Sequence, residues 1–388
     1  MALIKVKLGD FIYPVDEKNI ENKYNEEAVV GLSTQKTIIR TKAELSGVKL
    51  SSYKIFAPGQ FAYVPDTSRR GDKVSLAFNS TKETYLVSSI SIVFGIKYTD
   101  KLLPLYLFIF FNRPEFDRYA RFNSWGSARE AFSWEDLCEI DLELPDIPTQ
   151  QKYVDIYNAM IANQQSYERG LEDLKLVCDG YFDSAKKERT IPLIQLIESV
   201  DSRNSRGLYS AKDVKGITNN KEFAETKADI TSVDLTKFKI VEPGEFAYNS
   251  RTDGRDMLVL ALNRENRAII VTFNYNVFKI RKDKEDVIVS EYLYAFLNRA
   301  EFDRQVRFSS WGSSQELLSW NNLCDFQIPL PTFKEQCDIA EIFKSYTQRK
   351  KINEQLKEQI KEMCPILIKG SLEEGKKNEN FGGAEWQN

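Results

Sequence analysis

Two stretches of the chain carry apolar residues in alternating steps of four and three. In the first, Tyr153, Met160, Tyr167, Leu174 and Tyr181 recur every seven positions, and Tyr157, Gln164, Leu171 and Cys178 recur every seven, offset by four. In the second, Ile339, Phe343 and Tyr346 keep the same seam; the phase slips, and Leu356, Ile360, Met363 and Leu367 resume it. Such spacing predicts helices with a coiled-coil seam. Thirty-odd residues rising ~1.5 Å each make a rod of roughly 50 Å. A helix with a single apolar stripe needs a partner, so the two are expected to pair, antiparallel given the long connection between them. Gln164 and its counterpart Lys350 are polar seam positions able to fix register. The tail after Gly370 (SLEEGKKNENFGGAEWQN) reads as disordered.

Before each helix the pattern changes to short runs rich in Val, Ile, Phe and Tyr, separated by Gly, Pro, Asp and Ser. Strands are expected at 60–64, 74–78, 83–87 and 90–97, and again at 258–262, 268–273 and 277–281. Helical stretches follow at 103–112 and 290–298. Ser133 and Ser319 stand where an N-cap opens a short helix. Each globular part is therefore expected to be α+β with a mainly antiparallel sheet.

The two halves are copies. Asn112–Cys138 reads NRPEFDRYARFNSWGSAREAFSWEDLC and Asn298–Cys324 reads NRAEFDRQVRFSSWGSSQELLSWNNLC, identical at 17 of 27 positions without a gap. Pro58–Tyr63 pairs with Pro243–Tyr248, Leu8 with Leu193, Leu144-Pro145 with Leu330-Pro331, and Gln150 with Gln336. Each unit is far longer than a solenoid repeat, so a whole domain plus a helix is duplicated. The expected boundaries are globular domains at 1–148 and 188–333, long helices at 149–187 and 334–370, and a tail at 371–388. Between the shared anchors the copies diverge: DTSRRGDK at 66–73 faces RTDGRDML at 251–258. That divergence is either one scaffold carrying two surfaces or drift in tolerant loops, and spacing alone leaves both open.

Charge and chemistry narrow the function. Net charge is −3 with 54 basic and 57 acidic residues, which by itself argues against a nucleic-acid binder. Histidine is absent, removing the commonest general acid–base and metal ligand. The five cysteines are scattered with no C-x-x-C pair, so no metal site is expected. No phosphate loop, dinucleotide fingerprint or Asn-Pro-Pro-aromatic motif occurs, and no cofactor is expected. There is no apolar leader and no run long enough to cross a bilayer; the chain reads as cytoplasmic. Asp117 and Asp303 lie four residues before Arg121 and Arg307, the spacing of a helical salt bridge. Trp125, Trp134, Trp311 and Trp320 are expected as core anchors.

Two tandem units follow one order: a variable region, Ser-Trp-Gly-Ser, Leu-Cys with Leu-Pro behind it, and then Gln150 or Gln336 opening a long helix. This resembles the specificity subunit of type I restriction–modification enzymes, over residues from about Leu3 to Gly370. The resemblance implies that each globular unit is a target recognition domain reading one half of a split double-stranded DNA sequence. It implies that the helices form an antiparallel coiled coil setting the gap. Two methyltransferase subunits would dock, restriction subunits would join, and the chain itself would not be an enzyme. Arginine and glutamine suit guanine and adenine through paired hydrogen bonds. The candidate DNA-contacting residues are Lys36, Ser68, Arg69, Arg70, Lys73, Ser127 and Arg129 in the first unit. In the second they are Arg203, Arg206, Lys221, Asn249, Ser250, Arg251, Arg255, Ser313 and Gln315. The competing readings are a coiled-coil scaffold with two ligand modules that bind no DNA, and a stand-alone nuclease or methyltransferase using carboxylates.

Overall fold

The structure, a computed structural model, describes residues 3–41, 43–67, 73–127, 129–185, 189–226, 228–230, 233–252, 257–311 and 316–382. It divides into two compact units, Met1–Ser166 with Asn353–Asn388, and Tyr167–Ile352. The division cuts through both long helices, so each unit owns part of each helix. Sequence reasoning expected the helices to be segments separate from the globular domains.

In the first unit a four-stranded antiparallel sheet runs in the order Ile12–Val15, Ile92–Ile96, Phe61–Tyr63, Leu76–Phe78. Alternation sorts its side chains between faces. Phe61, Tyr63, Leu76 and Phe94 face the main core, with the helix Pro104–Phe111 and parts of both long helices. Ala62, Ala77 and Val93 face a smaller core with Phe56 and Val87. The second unit repeats this with Ile197–Val200, Tyr275–Ile280, Phe246–Asn249 and Leu260–Leu262. The same aromatic pair stacks in both sheets, Phe61 on Phe94 at 5.1 Å and Phe246 on Phe278 at 4.8 Å. Each unit is closed by its own ends: Ile4–Lys7 pairs with Asp141–Leu144, and Thr190–Pro192 with Gln327–Pro329. The expected α+β class and antiparallel pairing hold, and the serine caps are present, with Ser133 Oγ accepting from Asp136 N and Ser319 Oγ from Asn322 N.

Gln150 and Gln336 have the same task. Gln150 Nε2 donates to the carbonyls of Lys101 and Pro145, and its Oε1 accepts from Leu103 N. Gln336 Nε2 donates to Val287 and Pro331, and its Oε1 accepts from Val289 N. Both carboxamides are fully buried, and their paired bonds fasten each long helix to the chain that precedes it. A buried amide is favourable only when so satisfied.

The long helices span Ile147–Ala185 and Phe333–Gly382. In the first unit Lys152 Nζ donates to the Glu374 carboxylate and Gln164 Nε2 donates to Asn353 Oδ1 at 2.9 Å. Partner numbers fall as helix numbers rise, so the packing is antiparallel, as expected. In the second unit the Arg349 guanidinium lies 5.1 Å from the Tyr167 ring, and Cys178, Phe182, Ile339 and Phe343 share the core. The register residue opposite Gln164 is Asn353; Lys350 instead donates to Asn220 Oδ1. Tyr181, an expected seam residue, is exposed, and Phe182 is buried in its stead.

Three further expectations are corrected. The segment after Gly370 is helical to Gly382, because it has partners that its composition conceals. The Tyr106 and Ser371 hydroxyls hydrogen-bond at 2.7 Å, Leu372 packs on the core, and Glu374 takes Lys152 and Tyr153. Asp117 does not pair with Arg121 along its helix; it pairs with Lys36, and Arg121 pairs with Glu130. Trp134 and Trp320 pack on Phe94 and Phe278, but Trp125 and Trp311 are 67% and 69% exposed.

Candidate nucleic-acid interface

The loops that differ most between the units leave equivalent places in the two sheets. Residues 64–73 follow the strand Phe61–Tyr63, and residues 250–258 follow Phe246–Asn249. Each loop then joins a short ladder built on the Ser-Trp-Gly-Ser turn. In the first unit Asp66 bridges to Ala131, which pairs with Trp125. Thr67 N donates to Glu130 O at 3.0 Å, and Phe132 N to Pro65 O at 2.9 Å. In the second unit Arg251 bridges to Leu317, which pairs with Trp311. Thr252 N donates to Glu316 O and Leu318 N to Ser250 O, at 2.9 and 2.8 Å. The turn needs its glycine. Gly126 has φ +145°, and a Cβ there would lie 2.1 Å from Arg129 O.

The returning end of each loop is held by a buried ion pair. Lys36 Nζ reaches Asp117 Oδ1 at 2.5 Å and Val74 O at 2.9 Å, and the same Asp117 oxygen accepts from Val74 N at 3.0 Å. Lys221 Nζ reaches Asp303 Oδ1 at 2.7 Å and Leu297 O at 2.8 Å, and Asp303 Oδ1 accepts from Leu258 N at 3.0 Å. Both lysines sit in the left-handed region, at φ 61° and 60°, and each is 4% exposed. Burial pushes both amines below the ordinary lysine range, with the aspartates opposing it, and burial raises the Asp303 carboxyl.

The sequence-predicted residues therefore separate. Lys36 and Lys221 are structural clamps, withdrawn from any surface contact by burial. Lys73, Ser127, Arg129 and Arg251 are exposed, and Asn249 and Ser250 are half-buried. Thr67 and Lys73 flank one loop, while Asn249, Ser250 and Arg251 open the other, and both lie against the tryptophan turn. Arg203 and Arg206 are exposed on the loop after Ile197–Val200, which leaves the same end of the sheet. That loop is tied elsewhere, with Arg203 bridging to Lys239 and pairing with Asp201. Ser68, Arg69, Arg70, Arg255, Ser313 and Gln315 lie outside the described residues. Sequence reasoning did not single out the exposed Phe122 and Phe308, and it expected Trp125 and Trp311, which are also exposed, in the core. Their signal was an unchanged repeat, which reads equally well as core.

Among the described residues no cluster of His, Cys, Asp or Glu could hold a metal ion, and no helix is long and apolar enough to cross a membrane. The five cysteines are free; burial pushes the Cys178 thiol up to about 11 and the Cys364 thiol up to about 12, which leaves them poor nucleophiles.

Residues 199–362 match the family described as type I restriction modification DNA specificity domain. No curated protein matches the chain. Among solved structures, the type I restriction–modification S subunit from M. genitalium shares 9% identity over 96% of both chains, with a TM-score of 0.54. The HsdS subunit from Thermoanaerobacter tengcongensis shares 15% over 96% of both, with a TM-score of 0.37. A chain from "Structural basis underlying complex assembly and conformational transition of the type I R-M system" shares 14% over 96% of this chain and 97% of that one, at 0.46. Residues 199–362 thus match the type I restriction modification DNA specificity domain, part of that stretch is repeated at 17 of 27 positions in the first unit, and the whole chain shares its fold with the M. genitalium S subunit.

Proposed function

We propose that the chain supplies the sequence specificity of a type I restriction–modification complex, each unit reading one half of a bipartite double-stranded DNA target. The observation that carries this reading is the framed loop. In each unit a loop of different sequence is mounted on the same backbone bonds and the same buried Lys–Asp clamp. Base identity is read by a few side chains in a groove, so one frame with exchangeable loops suits two different half-sites. Lys73 and Arg129 serve the first half, and Asn249, Ser250 and Arg251 the second. Arg203 and Arg206 add backbone contacts. Ser68, Arg69, Arg70, Ser127, Arg255, Ser313 and Gln315 remain candidates on the same loops and turns by sequence.

In this reading the paired helices set the gap between half-sites, two methyltransferase subunits dock on the helical parts, and restriction subunits complete the complex in the cytoplasm. Catalysis belongs to those partners. The chain is nearly neutral, so much of the salt-dependent backbone grip comes from them too. The test is modification of DNA by this chain together with its cognate methyltransferase. Methylation confined to a two-part sequence with a fixed gap is the expected result. A coiled-coil scaffold that binds other ligands would leave methylation without sequence preference.

A further inference from the structure

We propose that Phe122 with Trp125, and Phe308 with Trp311, hold duplex DNA beside each half-site without reading its sequence. The inference rests on the DNA-reading function proposed above and adds a contact of a different kind to it.

Phe122 and Phe308 are 78% and 79% exposed, as open as the two tryptophans that follow them. Single exposed aromatics are ordinary; this pair occurs twice at one place in the fold. The helices that lead to it are Pro114–Phe122 and Ala300–Phe308. Buried Ala120 has become Val306, half-buried Tyr119 has become Gln305 and exposed Pro114 has become Ala300, while buried Phe116 is kept as Phe302. The outward residues Glu115, Arg118, Phe122 and Trp125 are identical to Glu301, Arg304, Phe308 and Trp311. Tolerance to change concentrates on surfaces away from function. Four shared outward residues beside loops that have changed fit a contact made in the same way by both units.

The ladder decides what that thing is. Trp125 and Asp66 are the outer members of the ladder through Ala131, and Trp311 and Arg251 those of the ladder through Leu317. Two strand spacings put each tryptophan about 10 Å from the start of its loop, within the roughly 12 Å width of a major groove. What the loop touches, the aromatic pair reaches. Two different half-sites share only their sugar–phosphate frame and the π-faces of their bases. A ring can pack on the sugars or wedge between two base steps, which costs unstacking energy but carries little sequence preference.

The surrounding charge is modestly basic. Arg118 pairs with Glu115 and Arg121 with Glu130, leaving Arg129 exposed beside them. In the second unit Arg304 pairs with Glu301, with Arg307 and Arg251 exposed nearby.

The test uses the full chain assembled with its cognate methyltransferase and two duplexes of equal length, one bearing its mapped target and one scrambled, and reads affinity by fluorescence anisotropy. W311A is expected to weaken both duplexes by the same factor, about tenfold, with an unchanged thermal midpoint, and W311F is expected to recover most of the loss. R251A should weaken the target alone. If the wild-type chain binds both duplexes and W311A and W125A match it, the inference is overturned and the face is a protein contact. Loss confined to the target duplex overturns it as well, because the rings would then be reading sequence. If the wild-type chain binds neither duplex and R251A changes nothing, the DNA-reading function beneath it has failed.

Discussion

The loop at 64–73 and the loop at 250–258 have almost no residues in common and almost every anchor in common. Each begins at the same end of a four-stranded sheet, runs along the ladder of a tryptophan turn, and returns where a buried carboxylate accepts its N–H. The anchors are backbone groups and one Lys–Asp pair, so the side chains between them are free to change. The difference between the loops teaches that identity and position are set by separate residues. The comparison can be broken by attacking the frame in one unit and observing the other.

The largest expected effect is at the clamp. Asp303→Ala leaves the Lys221 ammonium buried among carbonyl oxygens and removes the acceptor of Leu258 N–H. Losing one partner of a buried pair costs about 3–5 kcal/mol. Urea unfolding followed by hydrogen exchange should show the second unit opening early, with the first unit unchanged. Equal loss in both units would contradict independent frames. Asp117→Ala should give the mirror result.

Next comes the joint between each globular part and its helix. Gln336→Ala strands the carbonyls of Val287 and Pro331 and the Val289 N–H, at about 1–3 kcal/mol. Exchange should accelerate in the first turns of Phe333–Gly382, and Gln150→Ala should do the same at the start of Ile147–Ala185. If either helix start is unaffected, the shared carboxamide is not the fastener.

A comparable cost, about 1–3 kcal/mol, is expected for Gln164→Leu, which leaves Asn353 unpaired in the seam. The double variant Gln164→Leu with Asn353→Leu should regain that stability, because an apolar pair replaces a polar one at a buried seam. A double variant weaker than the single one would rule out the pair as a register device.

The smallest effect is on pH. Hydrogen bonds from Thr149 hold Asp146 below the usual carboxylate range, and bonds from Thr332 do the same for Glu335. A lowered folded-state pKa means that the unfolded chain binds more protons in that window, so stability rises with pH through it. The contribution is present above about pH 4–4.5, the unfolded values, and is lost as pH falls. Asp303, raised by burial, acts with the opposite sign, its contribution falling as pH rises through its folded value. The melting midpoint should drop between pH 5 and pH 3, and Glu335→Gln should flatten part of that drop. An unchanged slope would mean that the cap carries no linkage.

The architecture was readable where one pattern had one physical meaning. Periodicity gave the helices, β-branched runs gave strands, and the repeat joined them into two α+β units. What escaped depended on partners distant in sequence. Tyr181 and Phe182 are adjacent, and only the core of the second unit selects Phe182. Lys36 is a polar residue in a loop until Asp117 buries it. Ser371 and Glu374 look like a solvated tail until Tyr106 and Lys152 claim them. For the candidate site, variability marked the loops in which the units differ, whereas the unchanged tryptophans were ambiguous, because a repeated aromatic serves a core and a surface equally well.

The most direct test of framed, independent readers is a loop exchange. Residues 66–73 of the chain replace 251–258, and methylated motifs are mapped after reconstitution with the cognate methyltransferase. The account predicts that the first half-site and the gap stay as they are while only the second half-site changes. A change in the first half-site, or in the gap, would contradict it.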